Sequence, residues 1–251
     1  MNIGLVLSGG GARGVAHIGA LKALEEKQIE ITHLSGTSAG AIVGALYAAG
    51  HSWSAILAFF KKVPIFQYKR YAYNKPGFID TSKFYSDLSP FFSEDDFRCL
   101  KKQLYITATD LVTGTEMIFS EGELIKPVLA SSAFPGLFTP ILINKIPYVD
   151  GGVLNNFPIE PLKNSCDSII GVYVNPLEEI TPNQLKHSYQ IANRAYDISF
   201  NSRCINKFKE VDILIAPNEL EKFGIFNLKN IDAIFEIGYK AAIEVLEKVP
   251  V

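Results

Sequence analysis

The sequence predicts an α/β fold in which a mainly parallel sheet carries helices on both faces, and two observations predict it. The first fifty residues read as strand, helix, strand, helix, an order that makes a right-handed parallel crossover. Short apolar runs then recur as far as residue 215, and several are separated by segments long enough to be helices.

Residues 3–7 form an uninterrupted apolar run closed by Ser8 and three glycines, as a strand buried on both faces should. A helix over 14–27 follows, with Val15, Ile18, Leu21 and Leu24 recurring at steps of three on one face. The second strand is expected at 31–34, then Gly36-Thr37-Ser38-Ala39-Gly40, then a small-residue helix over 39–49 that Gly50 stops. Runs at 104–108, 116–119, 168–174 and 211–215 fit the same sheet, as does the pair 141–143 and 146–149 around an Asn144-Lys145 turn. Helices are expected over 52–62, 123–131, much of 183–208, and 231–248. No repeat, low-complexity tract or compositional break marks a linker, so 1–251 is read as a single domain.

A chain of 251 residues, 48% hydrophobic and 20% charged, suits a globular enzyme with one large core. Its formal net charge of -2 offers no basic footprint for a phosphate backbone, which argues against nucleic acid as a partner. Cys99, Cys166 and Cys204 are odd in number and contain no CxxC pair, so neither a disulfide framework nor a zinc site is expected. A reducing, cytoplasmic compartment is the simplest reading. The first apolar run lacks a basic leader, so the start reads as mature structure. Nowhere do ~18 consecutive residues stay apolar, so any membrane contact is expected to be peripheral.

Three strings carry chemistry. Gly36-Thr37-Ser38-Ala39-Gly40 matches a G-x-S-x-G elbow between an expected strand and an expected helix. Glycines on both flanks relieve the crowding of a sharp turn, and the N-terminus of the following helix favours an oxyanion. Ser38 is also a favoured helix N-cap, so the same five residues can be read as a plain capped turn. Gly9-Gly10-Gly11-Ala12-Arg13-Gly14 lies between the first strand and helix, where amides of Gly10, Gly11 and Ala12 can converge on an anion. It has the G-x-G-x-x-G form, but the second strand leads into the elbow instead of to an acidic residue, and no G-K-[ST] follows. Arg13 in a first helical turn opposes the dipole and should meet an anion, either a structural carboxylate or a substrate oxyanion or phosphate. The third string, Asp150-Gly151-Gly152, closes the strand over 146–149, and a partly desolvated carboxylate there can act as a base at neutral pH.

Histidine is not well placed for that work. His17 falls in a helix, His33 in a strand and His51 after a helix stop. His187 alone follows Asp150 in a Ser, Asp, His order, and it falls inside the expected 183–208 helix.

In this order the three strings resemble the patatin-like phospholipase family over residues 3–165. Ala130-Ser131-Ser132-Ala133-Phe134-Pro135 is similar to the family's small-residue segment, and Asn155 and Pro158 follow the aspartate as they do there. The resemblance implies a three-layer α/β/α fold and a Ser-Asp dyad without histidine. Ser38 is then the nucleophile and Asp150 the base. Gly9, Gly10, Gly11, Ala12, Arg13 and Gly14 form the oxyanion loop, with Gly36 and Gly40 flanking the elbow. It implies a lipid acyl ester as substrate and neither metal nor cofactor. An acyltransferase on the same dyad is the nearest rival, and a dinucleotide-binding regulator is the rival from another class.

Two regions stay open. Residues 166–251 show no family motif and are expected to complete the fold. Residues 53–78 interleave aromatic and basic groups and read either as a lid or interfacial surface, or as a core helix followed by a packed loop. Leu137-Phe138 and Phe91-Phe92 are expected in the core. A homodimer is expected from the apolar content and the helix within 183–208.

Overall fold

Alternation along the first strand decides which layer each later element joins. β1 (Ile3–Leu7) turns Leu5 and Leu7 toward the larger of two apolar cores and Val6 toward the smaller. The structure, a computed structural model, describes residues 1–63, 70–177, 179–225 and 228–248.

In chain order β1 is followed by α1 (Val15–Glu26), β2 (His33–Thr37), α2 (Ala39–Ala48), α3 (Trp53–Lys62) and α4 (Tyr85–Leu88). Then come β3 (Gln103–Asp110), β4 (Glu116–Phe119), α5 (Ile125–Ser131), β5 (Ile141–Ile143) and β6 (Ile146–Asp150). β7 (Ser168–Val172), α6 (Ser188–Ile205), β8 (Ile213–Ile215) and α7 (Ile231–Leu246) complete the set. Apolar residues of α1, α2, α3, α5 and α7 build the larger core on one face. The opposite layer is thinner: Phe157, Ile159 and Leu162 from the segment after β6, with Cys204 of α6. The result is the expected three-layer α/β/α arrangement around a mixed, mostly parallel sheet.

Hydrogen-bonded neighbours follow the path β5-β6-β3-β2-β1-β7-β8, with β4 also paired to β3. The register explains how distant segments meet. Ile106 and Thr107 pair with β2 and β4 at once, while Ala108 and Thr109 pair with β4 and β6. A strand has two edges, so β2 and β6 share the edge opposite β4 and lie end to end along it. Thr37 stands opposite Thr107 and Asp150 opposite Ala108, adjacent positions on β3. The ends of β2 and β6 therefore converge.

Several boundaries differ from expectation. β2 begins two residues later than predicted and runs through Ser35, Gly36 and Thr37 to the elbow. Pairing to β1 and β3 holds these small residues extended where local propensity gives no signal. β3 is longer than expected, while β7 and β8 are shorter. The helix expected within 183–208 starts at Ser188, so His187 is its exposed N-cap residue and does not lie inside it. The one-turn helix α4 has no periodic signal and was not expected. Asn144 and Lys145 form the predicted turn, with φ of 51° and 68°. Among the described residues no helix is long and apolar enough to cross a membrane.

The closest helix crossing, between α1 and α7, depends on two glycines. A Cβ on Gly19 would lie 2.2 Å from the Phe235 carbonyl oxygen, and one on Gly238 would lie 2.1 Å from that of Ala16. Gly238→Ala must therefore push α7 away from α1. It is expected to lower stability by about 1–3 kcal/mol, read as a lower urea midpoint with an unchanged slope.

Candidate active site

The turn at the end of β2 holds Ser38 at φ 55° and ψ -123°, a strained conformation for a residue with a side chain. Such strain, about 1–3 kcal/mol, persists only where neighbours over-determine it. Here they do. The Ser38 amide donates to Ser131 Oγ at 2.9 Å, and that hydroxyl donates to the Thr107 carbonyl at 2.7 Å. The Ser38 carbonyl accepts from Ser132 Oγ at 3.2 Å and from the amide of Ala41 at 2.9 Å. A Cβ on Gly36 would meet the Gly40 carbonyl oxygen at 2.7 Å, and one on Gly40 would meet that of Leu7 at 2.3 Å. Both elbow glycines are sterically required.

Asp150 ends β6 and is 3% exposed. Its amide donates to the Ala133 carbonyl at 3.0 Å, so the segment that fixes Ser38 fixes Asp150 as well. The carboxylate accepts the Gly152 amide at 2.8 Å. Burial pushes its pKa up to about 6, against the lowering effects of the Ser38 side chain and the Gly152 amide. Gly151 passes the Thr107 carbonyl, 2.2 Å from where its Cβ would be, and Gly152 makes room for the Phe200 ring at 2.5 Å.

The glycine loop lies beside this pair, with Ser38 Cβ 3.1 Å from a Cβ placed on Gly9. Its donors are not all available. Gly9 donates to the Asn156 carbonyl at 3.2 Å, Arg13 to that of Gly10 at 3.1 Å, and Ala12 to that of Ile225 at 2.7 Å. Among the described residues the amides of Gly10 and Gly11 have no acceptor, so the Ala12 expectation is corrected. Gly14 packs against Ala39, 2.4 Å from its would-be Cβ, and serves the join of the two helices. Arg13 donates through Nε to the Phe223 carbonyl at 2.6 Å and through Nη2 to that of Glu221 at 3.4 Å. Main-chain carbonyls thus share the anion's expected role there, while burial raises the pKa of Asp197 and the Arg13 charge opposes that rise.

Ser38, Asp150, Gly10, Gly11, Ala12 and Arg13 line one cleft of about 430 Å³. Much of its lining is apolar, including Ile42, Phe59, Phe60, Phe84, Leu129 and Phe138. Phe138 is therefore a cleft residue and not a purely core one, whereas Phe92 is buried in the core as expected. Polar side chains on the same lining include Asn156, Asn175, Gln190, Arg194 and Tyr196. A buried carboxylate with pKa about 6, in the same cleft as a hydroxyl at a helix N-terminus, can take that hydroxyl's proton near neutral pH.

No histidine lines the cleft among the described residues. His17 is buried with Nε2 2.7 Å from the Ser8 carbonyl, and burial lowers its pKa to about 4. His51 bonds the Phe91 carbonyl at 2.6 Å and His33 the hydroxyl of Thr32 at 2.9 Å.

Two cleft residues escaped the sequence reading. Asn156 is 4% exposed and its Nδ2 has no partner among the described residues. Its neighbour Asn155 turns away to Glu116 and Glu160, each at 2.9 Å, and the N-N-F-P string does not say which asparagine faces inward. Tyr196 and the rest of α6 carry no motif at all. The aromatic stretch divides: Ile56 and Phe59 of α3 are buried, whereas Tyr71, Tyr73 and Phe78 are exposed. Phe66, Tyr68 and Lys69 lie outside the described residues.

The family model of the patatin-like phospholipases matches residues 5–163. An uncharacterized NTE family protein of Mycobacterium tuberculosis is 28% identical over 99% of this chain and 47% of its own length. A lysophospholipase of Candida glabrata is 33% identical over 72% of this chain and 11% of its own. The chain thus spans about half or less of these relatives. Among solved structures, VipD from Legionella pneumophila superposes with a TM-score of 0.57 at 17% identity, covering 98% of this chain and 67% of that one. The type III effector ExoU gives 0.51 at 19% identity, with 98% and 53% covered. These two likenesses concern the fold. Cleft, fold and family model agree, and the chain belongs to the patatin-like phospholipase family.

Proposed function

We propose that this chain hydrolyses acyl esters of lipids through an acyl-enzyme on Ser38, with Asp150 as the base. The observation that carries the reading is the meeting of Ser38 with the buried Asp150 carboxylate in one partly apolar cleft, where the serine side chain lowers the pKa that burial raises. Asp150 takes the hydroxyl proton as Ser38 Oγ bonds to the ester carbonyl carbon. The amides of Gly10 and Gly11 and the N-terminus of α2 balance the oxyanion. As the ester C–O bond breaks, the proton passes from Asp150 to the departing alcohol. Water, deprotonated by Asp150, then releases the fatty acid and restores Ser38.

The apolar part of the lining suits a fatty acyl chain. Lysophospholipids carry such a chain, and several relatives are named as lysophospholipases. Exposure of Tyr71, Tyr73 and Phe78 supports peripheral contact with a membrane surface.

Ser38→Ala and Asp150→Asn are each expected to reduce lysophospholipid hydrolysis at least about a thousandfold, while His187→Ala retains it. Mass spectrometry of released fatty acid reads the outcome, and glycerol added as an acceptor separates hydrolysis from acyl transfer. Full activity of either of the first two variants would remove the dyad.

A base must be ionised to work. The kcat/KM profile is therefore expected to be flat between about pH 7 and 8 and to fall tenfold per pH unit below about 6.

The same carboxyl sets a stability effect with a definite sign. Its folded pKa of about 6 exceeds the ordinary 3.8, so its contribution is most favourable below 3.8 and is lost as pH rises through 6. Charging it costs about 3 kcal/mol at pH 8. Asp150→Asn, which keeps an acceptor for Gly152, is expected to be more stable than the parent at pH 8, with the gap closing by pH 4 in urea titrations.

A further inference from the structure

Tyr196 brings to the cleft a polar group that the chemistry above does not use. It lies on α6, beyond the residues 5–163 that match the family model. Its hydroxyl is buried and has no hydrogen-bond partner among the described residues. Leaving such a group unpaired is unfavourable, and a cleft residue of this kind is satisfied when a ligand arrives.

The ring is held firmly. It stands edge-on to Phe134, with centroids 5.5 Å apart, and to Phe200 at 4.2 Å. Phe134 belongs to the segment whose Ser131 and Ser132 fix Ser38 and whose Ala133 fixes Asp150. Phe200 fills the space over Gly152. The phenol is thereby referenced to both members of the dyad. Burial, and next the nearby charge of Asp150, raise its pKa well above the ordinary range, so it remains a donor at any working pH.

Its helix points to a partner. An acyl chain packs on apolar lining such as Phe59, Phe60 and Phe138, and α6, which carries Tyr196, also puts Gln190 and Arg194 on the cleft lining, where the polar alcohol half of the ester can lie. The group beside Asp150 is also the group beside the proton on its way to the departing oxygen. We propose that Tyr196 donates a hydrogen bond to the leaving oxygen of the ester, which lets the site expel a poorly stabilised alkoxide such as that of a glyceryl lipid. This rests on the Ser38–Asp150 reading above. When the C–O bond breaks, its electron pair goes to the alkoxyl oxygen and the proton held by Asp150 follows. Tyr196 keeps its own proton throughout and stabilises the transient charge.

The test compares two esters of one fatty acid, a lysophosphatidylcholine and a p-nitrophenyl ester, whose leaving groups differ greatly in basicity. In Tyr196→Phe, kcat on the lysolipid is expected to fall about ten- to a hundredfold with little change in KM. On the aryl ester, whose leaving group needs no help, the loss is expected to stay below about threefold. Phe200→Leu keeps the hydroxyl but frees the ring, and is expected to show the same selectivity in weaker form. Equal losses on the two esters in both variants, or no loss on the lysolipid, would overturn the proposal. Ser38→Ala separates the two readings: it should abolish both activities, and if it does not, the dyad fails whatever Tyr196 does.

Discussion

One edge of β3 carries the ends of two strands that run toward each other, and the chemistry of this chain depends on that arrangement. β2 arrives from one direction and stops at Thr37, β6 arrives from the other and stops at Asp150, and they occupy adjacent positions on β3. Backbone pairing therefore brings together residues more than a hundred positions apart in sequence, before any side chain is considered. The contact needs no mobile loop to find it.

Around that junction the small residues of 130–134 act as a clamp. Ser131 and Ser132 bind the main chain of Ser38, and Ala133 binds that of Asp150. Two unfavourable features are held there at once: a left-handed serine and a carboxyl group removed from water. Both make the folded state less stable than it would otherwise be, and both are what nucleophilic chemistry uses. The larger core, built from five helices on one face of the sheet, supplies the stability that offsets them.

Much of this was legible in the sequence because the informative residues are constrained by sterics. Glycines 36 and 40 flank Ser38 since no side chain fits there, and Gly151 and Gly152 follow Asp150 for the same reason. The strands with apolar runs were found nearly as they stand, and β2 was misplaced where its residues are small and its partners decide. Less was visible of the polar part of the cleft lining. Asn156 and Asn155 are neighbours with opposite orientations, and only the fold distinguishes them. Tyr196 belongs to a helix with no motif, placed by packing against Phe134 and Phe200. The availability of the loop amides was equally hidden, since the carbonyl that engages Ala12 comes from Ile225.

That last contact has a bearing on which anions the glycine loop tolerates. A nest of three converging amides suits a phosphate dianion, which brings several oxygens and two charges. Here the third amide is already engaged by the Ile225 carbonyl. That leaves the amides of Gly10 and Gly11, a donor pair that matches one charged oxygen better than the several of a phosphate. The number of donors left to the loop is thus set by a residue more than two hundred positions downstream.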